Sequence, residues 1–202
     1  MMKRTVATAW ILWAALCGVA VAAGNAERGA AKSVVCAACH GATGNSTNPE
    51  WPSLAGLGED YILAQLHNYK DGKRSNPVMS PNVASLTPED MADLAAYFNS
   101  QHNTGGEAET STWKAGEKLF RGGNAARGIP ACMACHGPAA RGVDAARFPA
   151  LRGQHAVYIA KQLQDYASGT RKTGPNNIMQ DIARKLSADD IRDVASYIQG
   201  IR

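Results

Sequence analysis

Two short stretches of the chain, CAACHG at 36–41 and CMACHG at 132–137, contain the residue types best suited to chemistry. In each stretch two cysteines lie three positions apart, and a histidine follows the second directly. Four kinds of site have two closely spaced thiols: a disulfide, a thioredoxin-like redox pair, a zinc site and covalent attachment of a c-type haem. The repetition of the motif indicates that whatever the first copy does, the second does too.

Three of these four interpretations leave part of the motif unexplained. A disulfide at this spacing would be strained and would give the histidine no role, a thioredoxin-like motif needs a βαβ setting, and zinc needs more ligands than either region offers. Haem attachment uses every residue, because the thiols add to the two vinyl groups and the imidazole binds the iron. The sequence therefore favours two covalently bound haem c groups. Their predicted attachment and proximal residues are Cys36, Cys39, His40, Cys132, Cys135 and His136.

A sixth iron ligand is predicted in a loop far downstream of each motif. Met79 and Met179 occupy matched positions, seven residues before the leucine that precedes the final helix of each half. A thioether paired with histidine favours ferrous iron and raises the potential. The alternative is that these methionines only fill gaps in the core, but the repeat register favours ligation. Met91 is predicted to be a core residue, and Met133, inside the second motif, is predicted not to bind the iron.

None of the remaining histidines has a histidine at the matched position of the other half. His67 matches a glutamine, His155 matches a glycine, and His102 lies in a predicted linker. Histidine ligation of the first haem by His67 stays open as an alternative, with an exposed helix residue as the favoured interpretation. A role common to both halves is excluded for all three.

The elements that must position these residues are themselves duplicated. Matched residues recur at separations of 96 to 100 along most of the chain, which indicates a tandem duplication rather than a solenoid. The segment HNTGGEAETST at 102–112 has no apolar periodicity and is predicted to be the linker. The predicted boundaries are 1–23 for a signal peptide, 24–104 for the N-terminal domain and 105–202 for the C-terminal domain.

The fold class predicted for each half is all-α. A first helix is expected to run up to each CxxCH motif, and a middle helix has apolar residues at three- and four-residue spacing. A last helix is expected to begin at Thr87 and at Ser187, where a hydroxyl is followed by acidic residues. Each domain is small and rich in loops, so it needs a cofactor or crosslink to complete its core.

Residues 1–23 are predicted to be a secretory signal peptide. Lys3 and Arg4 precede a short apolar run that ends in small residues. A membrane anchor is the alternative, but the run is shorter than the roughly 20 residues that a spanning helix needs. Cys17 could be a lipid attachment site, although the leucine before it is atypical. The mature chain is therefore expected to begin near Gly24 and to be exported to the periplasm.

Charge is distributed unequally between the halves. Residues 24–105 have a formal charge of −3, and residues 106–202 have +5. The small net charge of the mature chain is not typical of a nucleic-acid-binding protein. Opposite fields on the two halves could steer different partners, with independent drift of solvated surfaces as the alternative.

Two further pairs of residues repeat near the motifs. Pro52 and Pro149 occur in WPSL and FPAL, where a backbone carbonyl is predicted to accept a hydrogen bond from the proximal imidazole, with a rigid turn as the alternative. Arg74 and Arg171 could face haem propionates or could be solvated, and the sequence leaves both interpretations open.

With these motifs in place, the chain resembles the cytochrome c4 family, in which two class I cytochrome c domains are fused. The resemblance rests on CAACHG and CMACHG, the duplication, the W/F-P-x-L segments and the tyrosine-bearing middle helices. It implies two haem domains facing each other about a pseudo-twofold axis. It also implies that Met79 is the distal ligand of the first haem and Met179 that of the second.

The function that the resemblance implies is that of a periplasmic, monomeric electron carrier. It is expected to take electrons from a quinol-oxidising complex or another donor and to deliver them to a terminal oxidase, in association with membrane-bound complexes. An alternative is the cytochrome subunit of a redox enzyme such as a flavin-linked sulfide dehydrogenase. Catalysis within the chain is disfavoured, because a catalytic haem needs an open sixth position and both halves offer methionine.

Overall fold

A computed structural model describes residues 23–201 and shows an all-α architecture in two similar halves. The predicted signal peptide and Cys17 therefore lie outside the described residues, apart from Ala23. None of the helices in this part of the chain is long and apolar enough to cross a bilayer. The first half contains five helices: α1 (Ala26–Lys32), α2 (Val34–His40), α3 (Glu59–Lys70), α4 (Met79–Ala84) and α5 (Pro88–Ser100).

The second half repeats this order with longer connections. Its helices are α6 (Trp113–Gly122), α7 (Met133–His136), α8 (Ala156–Ser168), α9 (Ile178–Ala183) and α10 (Ala188–Gly200). Three 3₁₀ turns lie in its loops, at Ala125–Arg127, Asp144–Ala146 and Pro175–Asn177. Residues 23–201 contain two isolated β-bridges and no strand. The predicted all-α duplication is confirmed.

Each half is built around its last helix, which packs against the first and middle helices. In the first half α5 packs against α1 and α3, and in the second half α10 packs against α6 and α8. The crossings with α1 and α6 are close: a Cβ atom at Gly29 or Gly116 would collide with the carbonyl oxygen of Asp93 or Asp193, respectively. Glycine at these two matched positions therefore lets the helix backbones touch.

The two apolar cores are small and reach the cysteine motifs. Cys36 packs against the first core and Cys132 against the second, so each motif is attached to the core of its own half. Met91 is fully buried in the first half, as predicted from its helical position. The first cluster consists of Leu57, Ile62, Leu94, Ala95 and Phe98.

The prediction for the start of the second half was wrong. In the first half α1 and α2 follow each other almost without interruption, so helix does run through CxxCH. In the second half α6 ends at Gly122, and a loop separates it from α7. Gly123 and Gly128 adopt positive φ angles of 64° and 63° in this loop, and Pro130 follows. These residues cannot continue a helix without strain or a lost hydrogen bond.

The predicted starts of the last helices are confirmed in detail. Thr87 and Ser187 are N-caps, and each forms a capping box with an aspartate three residues later. Replacing Ser187 by alanine removes a hydrogen-bond acceptor for the backbone N–H of Asp190. We expect the free energy of unfolding to fall by about 1 kcal/mol, as measured by denaturant unfolding of the holoprotein. Ser168→Ala, outside any N-cap, is the matched control and should cost much less.

The same capping boxes make stability depend on acid pH. Hydrogen bonds from Lys32 to Asp90 and from Arg127 to Asp190 lower the pKa of each carboxyl group to about 2. Because these values lie below those of the unfolded chain, the stabilisation is present above pH ~4 and is lost as the pH falls toward 2. We expect Asp190→Asn to flatten the dependence of the thermal midpoint on pH in this window. If the thermal midpoint of Asp190→Asn depends on pH as steeply as that of the wild type, Asp190 is not a source of the acid sensitivity.

Candidate haem-binding cavity

A single cavity of about 1440 Å³ lies between the halves and extends into both of them. It exceeds the roughly 300–1000 Å³ of a typical small-molecule pocket, so its size suits two large groups. The structure brings every residue predicted for the two haem sites to its wall. These residues are Cys36, Cys39, His40, Met79, Cys132, Cys135, His136 and Met179.

The four cysteines of the motifs are free and partly buried. Burial raises the pKa of Cys36, with a smaller contribution from the neighbouring Cys39. Burial also raises the pKa of Cys132, to about 11. A reactive redox pair needs the opposite, a thiol whose pKa is lowered by its surroundings. The environment of Cys36 and Cys132 therefore does not fit a thioredoxin-like site, whereas thiols beside an apolar cavity suit thioether attachment.

Both histidines are held in one tautomer by a backbone carbonyl. His40 Nδ1 lies 2.8 Å from the carbonyl oxygen of Pro52, and His136 Nδ1 lies 2.9 Å from that of Pro149. A carbonyl oxygen only accepts hydrogen bonds, so each Nδ1 carries the proton and donates it. The predicted hydrogen bonds are confirmed, and Nε2 keeps its lone pair available for a metal.

The imidazoles are also held in the neutral form. His40 is 5% exposed and His136 is 7% exposed. Burial lowers the pKa of both rings, and the hydrogen bonds to Pro52 and Pro149 oppose this only in part. A neutral imidazole is the form that binds a metal.

The two methionines lie at the beginning of short helices rather than in loops, which corrects the sequence prediction. Met79 is the first residue of α4, and Met179 is the second residue of α9. Asn76 Oδ1 accepts a hydrogen bond from the backbone N–H of Met79 at 2.9 Å. Before α9 the chain instead passes through two asparagines with left-handed conformations. The approach to the methionine therefore differs between the halves.

A symmetric network of two arginines joins the halves beside the cavity. The guanidinium of Arg74 donates to Tyr158 and Gln162 of the second half, and that of Arg171 donates to Tyr61 and Gln65 of the first. Arg74 also lies 4.7 Å from the ring centre of Tyr69, and Arg171 lies 4.6 Å from that of Tyr166. These reciprocal contacts give the interface the pseudo-twofold symmetry expected from the resemblance.

The solvated interpretation of the arginines is wrong for Arg171, which is 5% exposed, and Arg74 is partly buried. The hydrogen-bond acceptors of both guanidinium groups in the described chain are neutral hydroxyl and amide oxygens. Buried cations normally have an anionic partner, and both arginines line the cavity. Haem, with its two propionates, fits this arrangement.

A second set of contacts is asymmetric and was missed from the sequence. Asp144 of the second half accepts hydrogen bonds from the backbone N–H groups of Glu59 and Asp60 at the start of α3. It caps a helix whose own N-cap residue is glycine. Gln154 and His155 also reach the first half through side-chain hydrogen bonds. The repeat comparison could not find these residues because the matched positions of the first half hold other residue types.

The unrepeated histidines have different positions. His155 Nε2 lies 2.8 Å from the carbonyl oxygen of Ser46 and so joins the halves. His67 lies on α3 and lines the cavity. His102 is exposed. None of these features gives the three histidines a shared role.

Comparisons with known proteins agree with this geometry. A family model described as cytochrome c matches residues 26–102 and 113–202. Cytochrome c4 of Pseudomonas aeruginosa is 52% identical over 192 residues, which cover 95% of this chain and 96% of that protein. The crystal structure of reduced recombinant cytochrome c4 from Pseudomonas stutzeri has a TM-score of 0.86 and 47% identity, covering 89% of this chain and 100% of that one.

A third relative has a more specific name. The thiosulfate dehydrogenase electron acceptor of Stutzerimonas stutzeri is 39% identical over 174 residues, which cover 84% of this chain and 80% of that protein. Two matched cytochrome c domains imply two covalently bound haem c groups, and cytochromes c4 transfer electrons without being enzymes. The cavity, the two motifs and the similarity over almost the whole chain place this protein in the cytochrome c4 family.

Proposed function

We propose that the chain carries electrons between redox proteins through two six-coordinate haem groups. The observation that carries the proposal is that the residues predicted as ligands of both haems line one cavity, and that Nδ1 of each histidine already donates a hydrogen bond to a backbone carbonyl. The first set is Cys36, Cys39, His40 and Met79. The second is Cys132, Cys135, His136 and Met179.

In this proposal each bound haem supplies one-electron redox chemistry, and the chain's residues set its environment. The cysteines would tether the group, and Nε2 of each histidine and the thioether of each methionine would bind its iron. An iron held by both a histidine and a methionine would have no open position for a substrate, which suits a carrier. Arg74 and Arg171, which line the cavity, would neutralise the charge of the propionates.

We propose that this carrier works in the periplasm and delivers electrons from the respiratory chain to a terminal oxidase. The support is the predicted signal peptide together with the proposed methionine ligands, which would favour a high potential. A quinol-oxidising complex is the proposed donor. The test is whether the purified reduced protein is oxidised by membranes that contain the oxidase, and slow oxidation at saturating protein would contradict this role.

A second candidate function is to accept electrons from a sulfur-oxidising enzyme. The observation that favours it is the relative named as a thiosulfate dehydrogenase electron acceptor. Reduction of the protein by a thiosulfate dehydrogenase and thiosulfate, compared with reduction by a quinol-oxidising complex, would separate the two donors. The role of a flavin-linked sulfide dehydrogenase subunit stays a prediction, and co-purification with a flavoprotein would support it.

The first experiment on the ligands is a spectroelectrochemical titration of the holoprotein. Two low-spin haems that titrate at positive potentials would support histidine–methionine ligation of both irons. A high-spin spectrum, or a strongly negative potential in one step, would overturn the proposed methionine ligand of that half.

A further inference from the structure

The side chain of Gln154 crosses from the second half to one peptide of the first half. Gln154 Oε1 accepts a hydrogen bond from the backbone N–H of Ser53 at 2.9 Å, and its Nε2 donates to the carbonyl oxygen of Ser53 at 2.8 Å. Both bonds are buried, and Gln154 is 4% exposed. A buried amide with two bonds to one residue holds that residue firmly in place.

The orientation of this amide follows from its partners. Oε1 also accepts from the backbone N–H of His155 at 3.1 Å. Two N–H donors therefore meet the oxygen, while a carbonyl meets the nitrogen, and the flipped amide would oppose like groups in all three contacts. The oxygen of Gln154 thus faces the N–H of Ser53.

That N–H belongs to the same peptide unit as the carbonyl that binds His40. The carbonyl oxygen of Pro52 accepts from His40 Nδ1 at 2.8 Å, and the next atom along the chain is the nitrogen of Ser53. Resonance couples the two ends of a peptide group. A hydrogen bond donated at the N–H end polarises the carbonyl and strengthens the bond that the carbonyl accepts. Gln154, the peptide and His40 therefore form one chain of hydrogen bonds.

The second half lacks this chain. The carbonyl of Pro149 accepts from His136, but in the described part of the chain the N–H of Ala150 makes no hydrogen bond. The residue that matches Gln154 in the repeat is Leu57, which is 8% exposed and belongs to the first apolar core. The two sites thus have the same predicted ligands but different support behind the histidine.

We propose that Gln154 is a positioning residue for the first haem site, acting from the other half of the molecule. The inference rests on the proposed function, in which His40 is the proximal ligand. By polarising the Pro52–Ser53 peptide, Gln154 strengthens the bond from His40 Nδ1 and makes the imidazole a more basic ligand. A more basic ligand stabilises ferric iron and so lowers the potential of the first haem relative to the second.

The test is Gln154→Met in the holoprotein, which removes the two hydrogen bonds to Ser53, and the one from the N–H of His155, at nearly constant volume. We expect the equilibrium constant for reducing the first haem to rise about three- to tenfold, where tenfold corresponds to about 59 mV for one electron, with the second haem unchanged. NMR signals of the two haems show which haem is reduced in each step of the redox titration. Hydrogen exchange should show loss of protection at the Ser53 amide. If Gln154→Met fails to load both haems, Gln154→Asn, which is too short to reach Ser53, replaces it.

The matched control is Gln199→Met. Gln199 also makes two side-chain hydrogen bonds to backbone, to Ala156 and Glu107, but within the second half. It should lower stability without moving the first potential. If the Ser53 amide loses protection while the reduction potential of the first haem does not change, the inference is overturned but the proposed function is not. Equal shifts in the potentials of both haems would have the same meaning. A wild-type protein without a histidine-ligated first haem would overturn the proposed function and this inference with it.

Discussion

Replacing both Cys36 and Cys39 by alanine is expected to leave a protein with one covalent haem instead of two and a largely unfolded first half. The cause lies in the small core of that half, which reaches the motif and leaves much of its apolar surface facing the cavity. A loop-rich domain whose apolar core opens onto a large cavity needs a group in that cavity to complete its packing. Mass spectrometry and haem quantification report the stoichiometry, and far-ultraviolet circular dichroism reports the loss of helix.

Two control variants make this result specific. The double replacement of Cys132 and Cys135 should give the same stoichiometry but place the loss in the second half. Met133→Ala changes a residue inside the second motif that is predicted not to bind, and it should leave both haems attached. Retention of two covalent haems in either double variant would contradict the proposed attachment sites.

The second large effect is expected from Met79→His and Met179→His. Each replaces a soft thioether by a nitrogen ligand that stabilises ferric iron. The reduction potential of the haem concerned should therefore fall, while that of the other haem should not change. We expect a fall of the order of 100 mV or more, within the range of about 0.8 V over which axial ligands tune haem potentials. Spectroelectrochemical titration of each variant measures both steps.

Met91→Leu is the matched control for these variants. Met91 is fully buried in the core of the first half and does not line the cavity. A volume-conserving change there should cost less than about 1.5 kcal/mol of stability and leave both potentials unchanged. Unchanged potentials in Met79→His or Met179→His would rule out that methionine as an axial ligand.

Local patterns predicted the helices and the candidate site well. The N-caps at Thr87 and Ser187 depend on residues three positions apart, which a sequence displays directly. The hydrogen bond from His40 to Pro52 joins residues separated by only 12 positions. The repeat predicted the equivalent bond from His136 to Pro149. The motif itself indicated the haem sites, and the resemblance supplied their arrangement about a pseudo-twofold axis.

Where the sequence failed, the determining contacts are remote or specific to one half. The early end of α6 depends on a glycine-bearing loop that the first half does not have. The bonds of Gln154 and Asp144 join residues about 100 and 85 positions apart, respectively, and no periodicity reports such contacts. Burial of Arg171 likewise depends on how the halves meet. Duplication therefore helped the prediction only where both copies kept the same role.

The asymmetric contacts between the halves have a consequence for dissection of the molecule. The first half receives the cap of α3 from Asp144 and the support of its 46–53 loop from Gln154 and His155. The second half caps α10 and closes the start of α8 with its own residues, Ser187 and Gln199. Cutting the chain in the linker should therefore yield unequal fragments. Both fragments lose the arginine network, but the N-terminal fragment also loses the cap of α3 and the support of its 46–53 loop, so it should be the less stable of the two.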